Sequence, residues 1–470
     1  MVFSSLVFLC IFLPVVFCLH TLIPSIRVRN TLLILASLLF YAYGEPVYVL
    51  LMIASAFLNY LYALLVEKAT NKKPVLFLMV LTNVGILGVF KYAGFFVSTL
   101  NGLFRLQLPV PQIALPIGIS FFTFQAMSYV LDVYYEMARY QKNFFKVLLY
   151  ISFFPQLIAG PIVKYRDIES EIEERSISLP EAAAGMRRFV YGLGKKVLIA
   201  NTMAFVADNI FSRGAAHSNI VIAWIGAAAY TLQVYFDFSG YSDMAIGMGR
   251  MFGFHFQENF LFPYASKSIS EFWGKWHISL TTFFRSYLFF VPLFGKRRKY
   301  GNFFLVWFLS GLWHGANWTF VVWGLYHACF LMLEIKVPKI KRLPKVAGHI
   351  YTMLVVLVGE VIFRAPSLTE AGLFIRRMFT GFDFSASYMS FALQQLTPYF
   401  LVMFVAAIFF CGPIQKFALD ARREALNFPT WTKKERVRQI SLYVIAVVLL
   451  LWCIIRLSGG AYNPFIYFQF

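Results

Sequence analysis

A chain of 470 residues that is 60% hydrophobic and 14% charged is not a soluble globular protein, in which charged residues make up about a quarter. Its net charge of +20 arises from Lys and Arg gathered in short segments between apolar runs, the pattern of membrane topology determinants and anionic-lipid contacts rather than of a nucleic-acid footprint. The five cysteines (Cys10, Cys18, Cys329, Cys411, Cys453) sit in apolar runs without a CxxC or paired spacing, so neither a metal site nor a disulfide framework is indicated.

Apolar runs of membrane-spanning character recur along the chain, at 2–19, 30–43, 47–66, 75–98, 221–236, 349–363, 391–411 and 439–457. The first lacks a basic segment before Leu6 and a small-residue cleavage site, so it reads as a transmembrane helix and not as a signal peptide. Arg27, Arg29, Lys68, Lys72 and Lys73 mark two cytoplasmic loops flanking an outer Gly44-Glu45-Pro46 turn, which places the N-terminus outside. Residues 136–146 and 164–188 both look cytoplasmic, so the apolar 147–163 between them reads as re-entrant, broken at Phe154-Pro155-Gln156 and Gly160-Pro161. The polar run 164–188 reads as a surface helix, and 271–290 as an interfacial amphipathic helix.

Residues 302–334 would make a helix of about 50 Å at ~1.5 Å per residue, too long for one pass. Its flanks, Lys296 to Lys299 and Lys336 to Arg342, are both basic, so the segment has to enter and return. Gly311, Gly315 and Asn317 mark the turn and put His314 at its deep end. The basic stretch 414–438, with Lys416, Arg422, Arg423, Lys433, Lys434, Arg436 and Arg438, reads as inside and the tail ending in Phe470 as outside. With no soluble domain, repeat or linker in view, residues 1–470 form one integral-membrane domain. The expected fold is an all-α polytopic membrane protein of about a dozen transmembrane or re-entrant segments, which the family resemblance described below implies are set around a membrane-spanning tunnel.

Two histidines dominate the chemistry: His277 in Phe272-Trp273-Gly274-Lys275-Trp276-His277, and His314 in Gly311-Leu312-Trp313-His314-Gly315. An imidazole kept at membrane depth is costly and marks a functional site by default, and histidine is suited to proton transfer near neutral pH. His314 reads as a general base, against the blander view of a buried, hydrogen-bonded histidine. His277 has the bland reading of an interfacial histidine beside Trp276, and the family resemblance described below implies instead a group that orients a thioester or stabilises an oxyanion. Trp313, Asn317 and Trp276 flank the pair, and His327 either lines the same cavity or is a packed polar residue. Asp237, Ser239, Tyr241, Ser242 and Asp243 form either a polar tunnel wall or a network that satisfies backbone groups. Gln125 and Gln156 carry the same two readings. Glu360 and Arg364, four residues apart, suggest an internal ion pair. His20, His217, His255 and His349 carry no assigned role.

A set of motifs carries a family likeness: Leu115-Pro116-Ile117-Gly118-Ile119-Ser120 with Phe124-Gln125; Phe154-Pro155-Gln156 with Ala159-Gly160-Pro161; Phe236-Asp237-Phe238-Ser239-Gly240-Tyr241-Ser242-Asp243-Met244; Met251-Phe252-Gly253-Phe254 with Glu258-Asn259-Phe260; both histidine motifs; and Phe363-Arg364-Ala365. Each alone is weak, but their order and spacing are not. The chain resembles the membrane-bound O-acyltransferases over nearly its whole length, within them the bacterial alginate O-acetyltransferase branch, and more distantly the D-alanyl transferase of teichoic acid. The resemblance implies that His314 is the catalytic histidine and that His277 fills the second polar position. It implies a donor thioester such as acetyl-CoA, no tightly bound cofactor or metal, and an extracytoplasmic acceptor protein or polysaccharide. The setting it implies is the bacterial inner membrane. Two places depart from the branch: Gly274-Lys275 replaces a pair of arginines, and Arg285-Ser286-Tyr287 replaces Arg-Asp-Tyr.

Overall fold

The computed structural model describes residues 1–289, 298–412, 432–460 and 462–465, and among these the regular structure is helical with no strand. Among the described residues seven helices are long and apolar enough to cross a membrane, or eight if a bent pair is counted as one span. The chain is a multi-pass membrane protein. It divides into two compact units, Met1–Phe189 with Ser242–Gln257, and Val190–Tyr241 with Glu258–Phe470.

In the first unit, Tyr48–Lys68 is 21 residues long, which at ~1.5 Å per residue matches the roughly 30 Å hydrocarbon core. The span Lys72–Phe104 is interrupted by a π turn at Gly88–Tyr92. Between these two helices the amides of Asn59 and Asn83 bond reciprocally, at 3.1 and 3.0 Å, so neither buried side chain is left unsatisfied. The helix Ile119–Tyr134 was not foreseen as an apolar run. Its polar residues are satisfied inside the unit, with Ser128 on Tyr150 at 2.9 Å and Asp132 on Arg166 at 3.6 Å.

The break foreseen within 147–163 is present. Phe144–Ser152 stops at an extended-ψ Phe153, a single turn Phe154–Leu157 follows, and no further helix forms before Tyr165. These irregular residues are buried within the unit, which is where non-helical backbone is tolerated in an apolar setting.

The stretch 164–188 is not one surface helix. It forms Tyr165–Glu173 and the start of Leu179–Gly194, and the second belongs to a 35-residue span, Leu179–Arg213. Arg187 and Arg188 are buried, and Arg188 pairs with Asp243 at 2.7 Å. Charge that reads as solvated in sequence is here neutralised by a carboxylate 55 residues away. Gly185 and Gly247 let two helices cross closely, since a Cβ on either would lie 2.5 Å from the other's carbonyl oxygen.

In the second unit, the run 391–411 is two helices, Ala386–Gln395 and Pro398–Phe410, bent by 67° where Pro398 opens the second. Arg364 pairs with Asp208 at 2.7 Å and not with Glu360, because the fold supplies a carboxylate in better geometry than the next turn of the same helix. Lys196 and Asp237, both buried, pair at 2.7 Å, and Lys196 also donates to the Pro464 carbonyl. The topology residues Lys296, Arg297, Lys416, Arg422 and Arg423, and the terminal Phe470, lie outside the described residues.

Candidate functional site

The site is built on a helical hairpin in the second unit. Lys299–His314 ends at the histidine itself because Gly315 is extended (φ −170°, ψ 156°), and Trp318–Lys336 begins after the Asn317 cap. The turn foreseen at Gly311 to Asn317 is therefore present. The two helices pack tightly at small residues. A Cβ at Gly311 would lie 2.3 Å from the Phe320 carbonyl oxygen, and one at Gly324 would lie 2.3 Å from that of Trp307.

His277 sits at a second break. The residues read as one interfacial helix over 271–290 form two short helices, Ile269–Trp273 and Ile278–Tyr287, with His277 between them at φ 43°. A left-handed backbone is uncommon for a residue other than glycine, histidine being among the more tolerant, and here the surroundings hold it. Two anchors impose it here. The buried carboxylate of Glu334 accepts from the Ile269 and Ser270 amides (2.6 and 2.9 Å) and from the Ser270 hydroxyl (2.6 Å), which pins the first short helix to Trp318–Lys336. On the other side, the Asn259 carbonyl accepts from the Ile278 amide at 3.0 Å.

The Asn259 side chain also fixes the proton on His277. Asn259 Oδ1 accepts from the Ser279 backbone amide at 3.2 Å and the Ser279 hydroxyl at 2.9 Å. A backbone N–H can only donate, so the amide atom facing it is oxygen; His277 Nδ1 lies 3.2 Å from that oxygen and 3.4 Å from the Ser279 hydroxyl, and we assign the proton to Nδ1, since an unprotonated Nδ1 would face the oxygen lone pair to lone pair. In a neutral imidazole this leaves Nε2 with a bare lone pair. That atom is buried and has no hydrogen-bond partner, in a residue only 1% exposed. In that tautomer His277 presents an acceptor at Nε2.

Aromatic rings join the two histidines. His277 lies 5.8 Å from Trp313 between ring centroids, Trp313 lies 5.0 Å from His314, and His314 meets Trp323 edge-on at 5.0 Å. Phe238 closes on His277 at 4.6 Å and Phe363 on His314 at 5.2 Å. His327 continues the series, 5.2 Å from Trp323. The structure therefore brings His277, Trp313, His314 and His327 into one walled group.

The other residues singled out in sequence have different placements. Trp276 stacks on Phe272 and Tyr264 at 5.5 and 5.9 Å. Asn317 caps its helix by accepting from Thr319 N at 3.1 Å, while its amide donates to the Pro366 carbonyl at 3.1 Å. Ser239 has a buried hydroxyl without a hydrogen-bond partner, and the Tyr241 ring lies 4.8 Å from that of Phe465. Asp243, Gln125 and Gln156 belong to the first unit, where Asp243 is held by Arg188. Gln156 donates to the Tyr150 carbonyl, and both amide atoms of Gln125 are buried without partners. Sequence reasoning missed two residues, Asn259 and Glu334. The signal for Glu334 was an acid inside an apolar helix, two turns after His327 and so on the same face. Among the described residues no three His, Cys, Asp or Glu side chains are grouped to hold a metal ion.

Comparison with known proteins agrees with this architecture. The family model described as MBOAT, membrane-bound O-acyltransferase family, matches residues 33–368. A probable alginate O-acetylase of Pseudomonas putida is 40% identical over the full length of both chains. A peptidoglycan O-acetyltransferase of Helicobacter pylori is 35% identical over 79% of this chain and 78% of its own. A teichoic acid D-alanyltransferase of Bacillus subtilis is 30% identical over 48% of this chain and 62% of its own.

Proposed function

The chain belongs to the membrane-bound O-acyltransferase family, and on that premise we propose that this acyltransferase moves an acetyl group from a cytoplasmic thioester such as acetyl-CoA to a hydroxyl on the extracytoplasmic side. The polymer served is an exopolysaccharide or a cell-wall glycan, as the names of the alginate and peptidoglycan relatives suggest. The membrane is the bacterial inner membrane. The observation that carries this reading is the bare, buried Nε2 of His277 joined through Trp313 to His314 at a helix break.

His314 is the base in this account. The acceptor hydroxyl gives its proton to His314 as its oxygen bonds to the thioester carbonyl carbon. The carbon–sulfur bond then breaks, and the proton passes from His314 to the departing thiolate. No acyl-enzyme is required. His277 Nε2 accepts a hydrogen bond from a neighbouring hydroxyl of the acceptor and so holds the attacking hydroxyl in line. General-base assistance of this kind contributes roughly 10²- to 10⁴-fold, and orientation before attack adds to it. The donor is a substrate and not a resident cofactor.

The test is purified protein in liposomes, given acetyl-CoA and a short alginate oligosaccharide, with free thiol and acetyl ester measured together. The proposal expects acceptor-dependent release of one thiol per ester. Release from a thioester-loaded carrier protein, with none from acetyl-CoA, would replace the donor and favour the D-alanyl reading suggested by the teichoic acid relative. Transport of an acylated molecule without thioester cleavage would move the protein to a transporter class.

A further inference from the structure

Behind His314 the aromatic series ends in a group that the reaction above does not use. Trp273, Trp323 and His327 are each at least nine-tenths buried. Their rings stand mutually edge-on, with centroids 5.6 Å apart for Trp273 and Trp323, 5.0 Å for Trp273 and His327, and 5.2 Å for Trp323 and His327. Trp307 backs Trp273 at 4.6 Å. Three of the polar nitrogens, Trp273 Nε1, Trp323 Nε1 and His327 Nδ1, are buried with no hydrogen-bond partner. Buried polar atoms are costly to leave so, and here three lie on mutually touching rings.

The fold makes room for His327 there. A Cβ at Gly359 would lie 2.8 Å from His327 Nε2 and 3.4 Å from the Tyr326 ring. His327 and Trp323 share a face of Trp318–Lys336 at i and i+4, with Glu334 further along the same face. Glu334 in turn fixes the short helix that carries Trp273. One helix face therefore holds all three rings in place.

We propose that these rings form a cage for a single ordered water, and that through it His327 is a positioning residue for His314. The chemistry matches a water. Two indole N–H groups donate to its lone pairs, and one of its protons goes to the unprotonated Nδ1 of His327, giving the three hydrogen bonds typical of a buried water. The water locks the Trp323 ring, and His314 leans on that ring at 5.0 Å. The positioning claim rests on His314 being the base; the water itself does not.

A map of the detergent-solubilised full chain at about 2 Å resolution or better, where buried waters are seen, reads the cage directly. One density peak within hydrogen-bond distance of all three nitrogens is expected, and an empty cage overturns the proposal. Acetyl-CoA kinetics on folded, monodisperse variants read the positioning. His327→Leu should lower kcat about tenfold with the KM for acetyl-CoA within twofold, and His327→Asn, which can still bond to the water, should recover at least half of the loss. Wild-type kcat in His327→Leu, or no recovery in His327→Asn, overturns the role. If His327→Leu does not fold, Trp323→Phe keeps a ring but removes the N–H, and wild-type kcat in that variant is equally fatal. His314→Ala runs beside these. Retained activity there defeats the catalytic reading, whereas a dead His314→Ala with an unaffected His327→Leu defeats only the positioning role of His327.

Discussion

His255 and His277 are 22 residues apart in sequence and sit in different compact units, and the fold treats them in opposite ways. His255 is half-exposed, bonded through Nδ1 to Glu171 at 2.7 Å and through Nε2 to Glu181 at 3.3 Å. Both nitrogens are committed to carboxylates, and those hydrogen bonds, Glu171 first, hold its pKa above the ordinary histidine value. His277 is buried among rings, has one nitrogen fixed by a neutral amide, and keeps the other open. The first arrangement ties three segments together. The second keeps an imidazole neutral with a lone pair available. The first imidazole has both nitrogens satisfied, and the second keeps one open to a ligand.

The buried ion pairs follow the structural pattern. Lys196 and Asp237 have side chains only 4% and 2% exposed. Replacing Asp237 with Ala strands the lysine, and removal of one partner from such a pair costs about 3–5 kcal/mol. The expected outcome is a large fall in thermal stability of the purified protein, partly restored by adding Lys196→Met. A normal melting temperature for Asp237→Ala would remove this pair from the structural side of the comparison.

Asn259 sharpens the functional side. Replacement by Ala leaves His277 free to turn and to change tautomer. The loss in kcat should be about 10- to 100-fold, with folding preserved, since misplacement of a reacting group costs on that order. Asn259→Asp, which keeps the acceptor oxygen, should lose less. Equal losses in the two variants would mean that Asn259 serves packing and not proton placement.

The smallest effect belongs to His255. Its pKa is raised in the folded protein, so its stabilising contribution is complete below the ordinary value of 6.5 and is lost as pH rises through the raised one. Solvent around a side chain 47% exposed keeps that contribution small. The difference in melting temperature between wild type and His255→Ala should therefore shrink as pH rises above neutrality. A difference that grows with pH would contradict the assignment.

Much of this was legible in the sequence, for identifiable reasons. The hairpin at His314 follows from length, because residues 302–334 exceed one bilayer crossing and carry basic flanks on both sides. The break at Phe154-Pro155 follows from proline chemistry. What sequence could not supply were partners distant in the chain. Arg188 reads as a surface charge until Asp243 appears beside it, and Arg364 reads as a partner of Glu360 until Asp208 does. The helix Ile119–Tyr134 escaped notice because Ser120, Thr123, Gln125, Ser128 and Asp132 dilute its apolarity, although those side chains are buried within its unit. Asn259 was visible as part of a motif, but its contact with His277 Nδ1 joins residues 18 positions apart on either side of a short helix.

The most direct measurement is acetyl transfer from acetyl-CoA by three preparations of equal folded content: wild type, His314→Ala and His255→Ala. The account predicts that His314→Ala loses at least about 100-fold, the lower range of general-base catalysis, while His255→Ala stays within twofold of wild type. Full transfer by His314→Ala, or a comparable collapse in His255→Ala without unfolding, would contradict it.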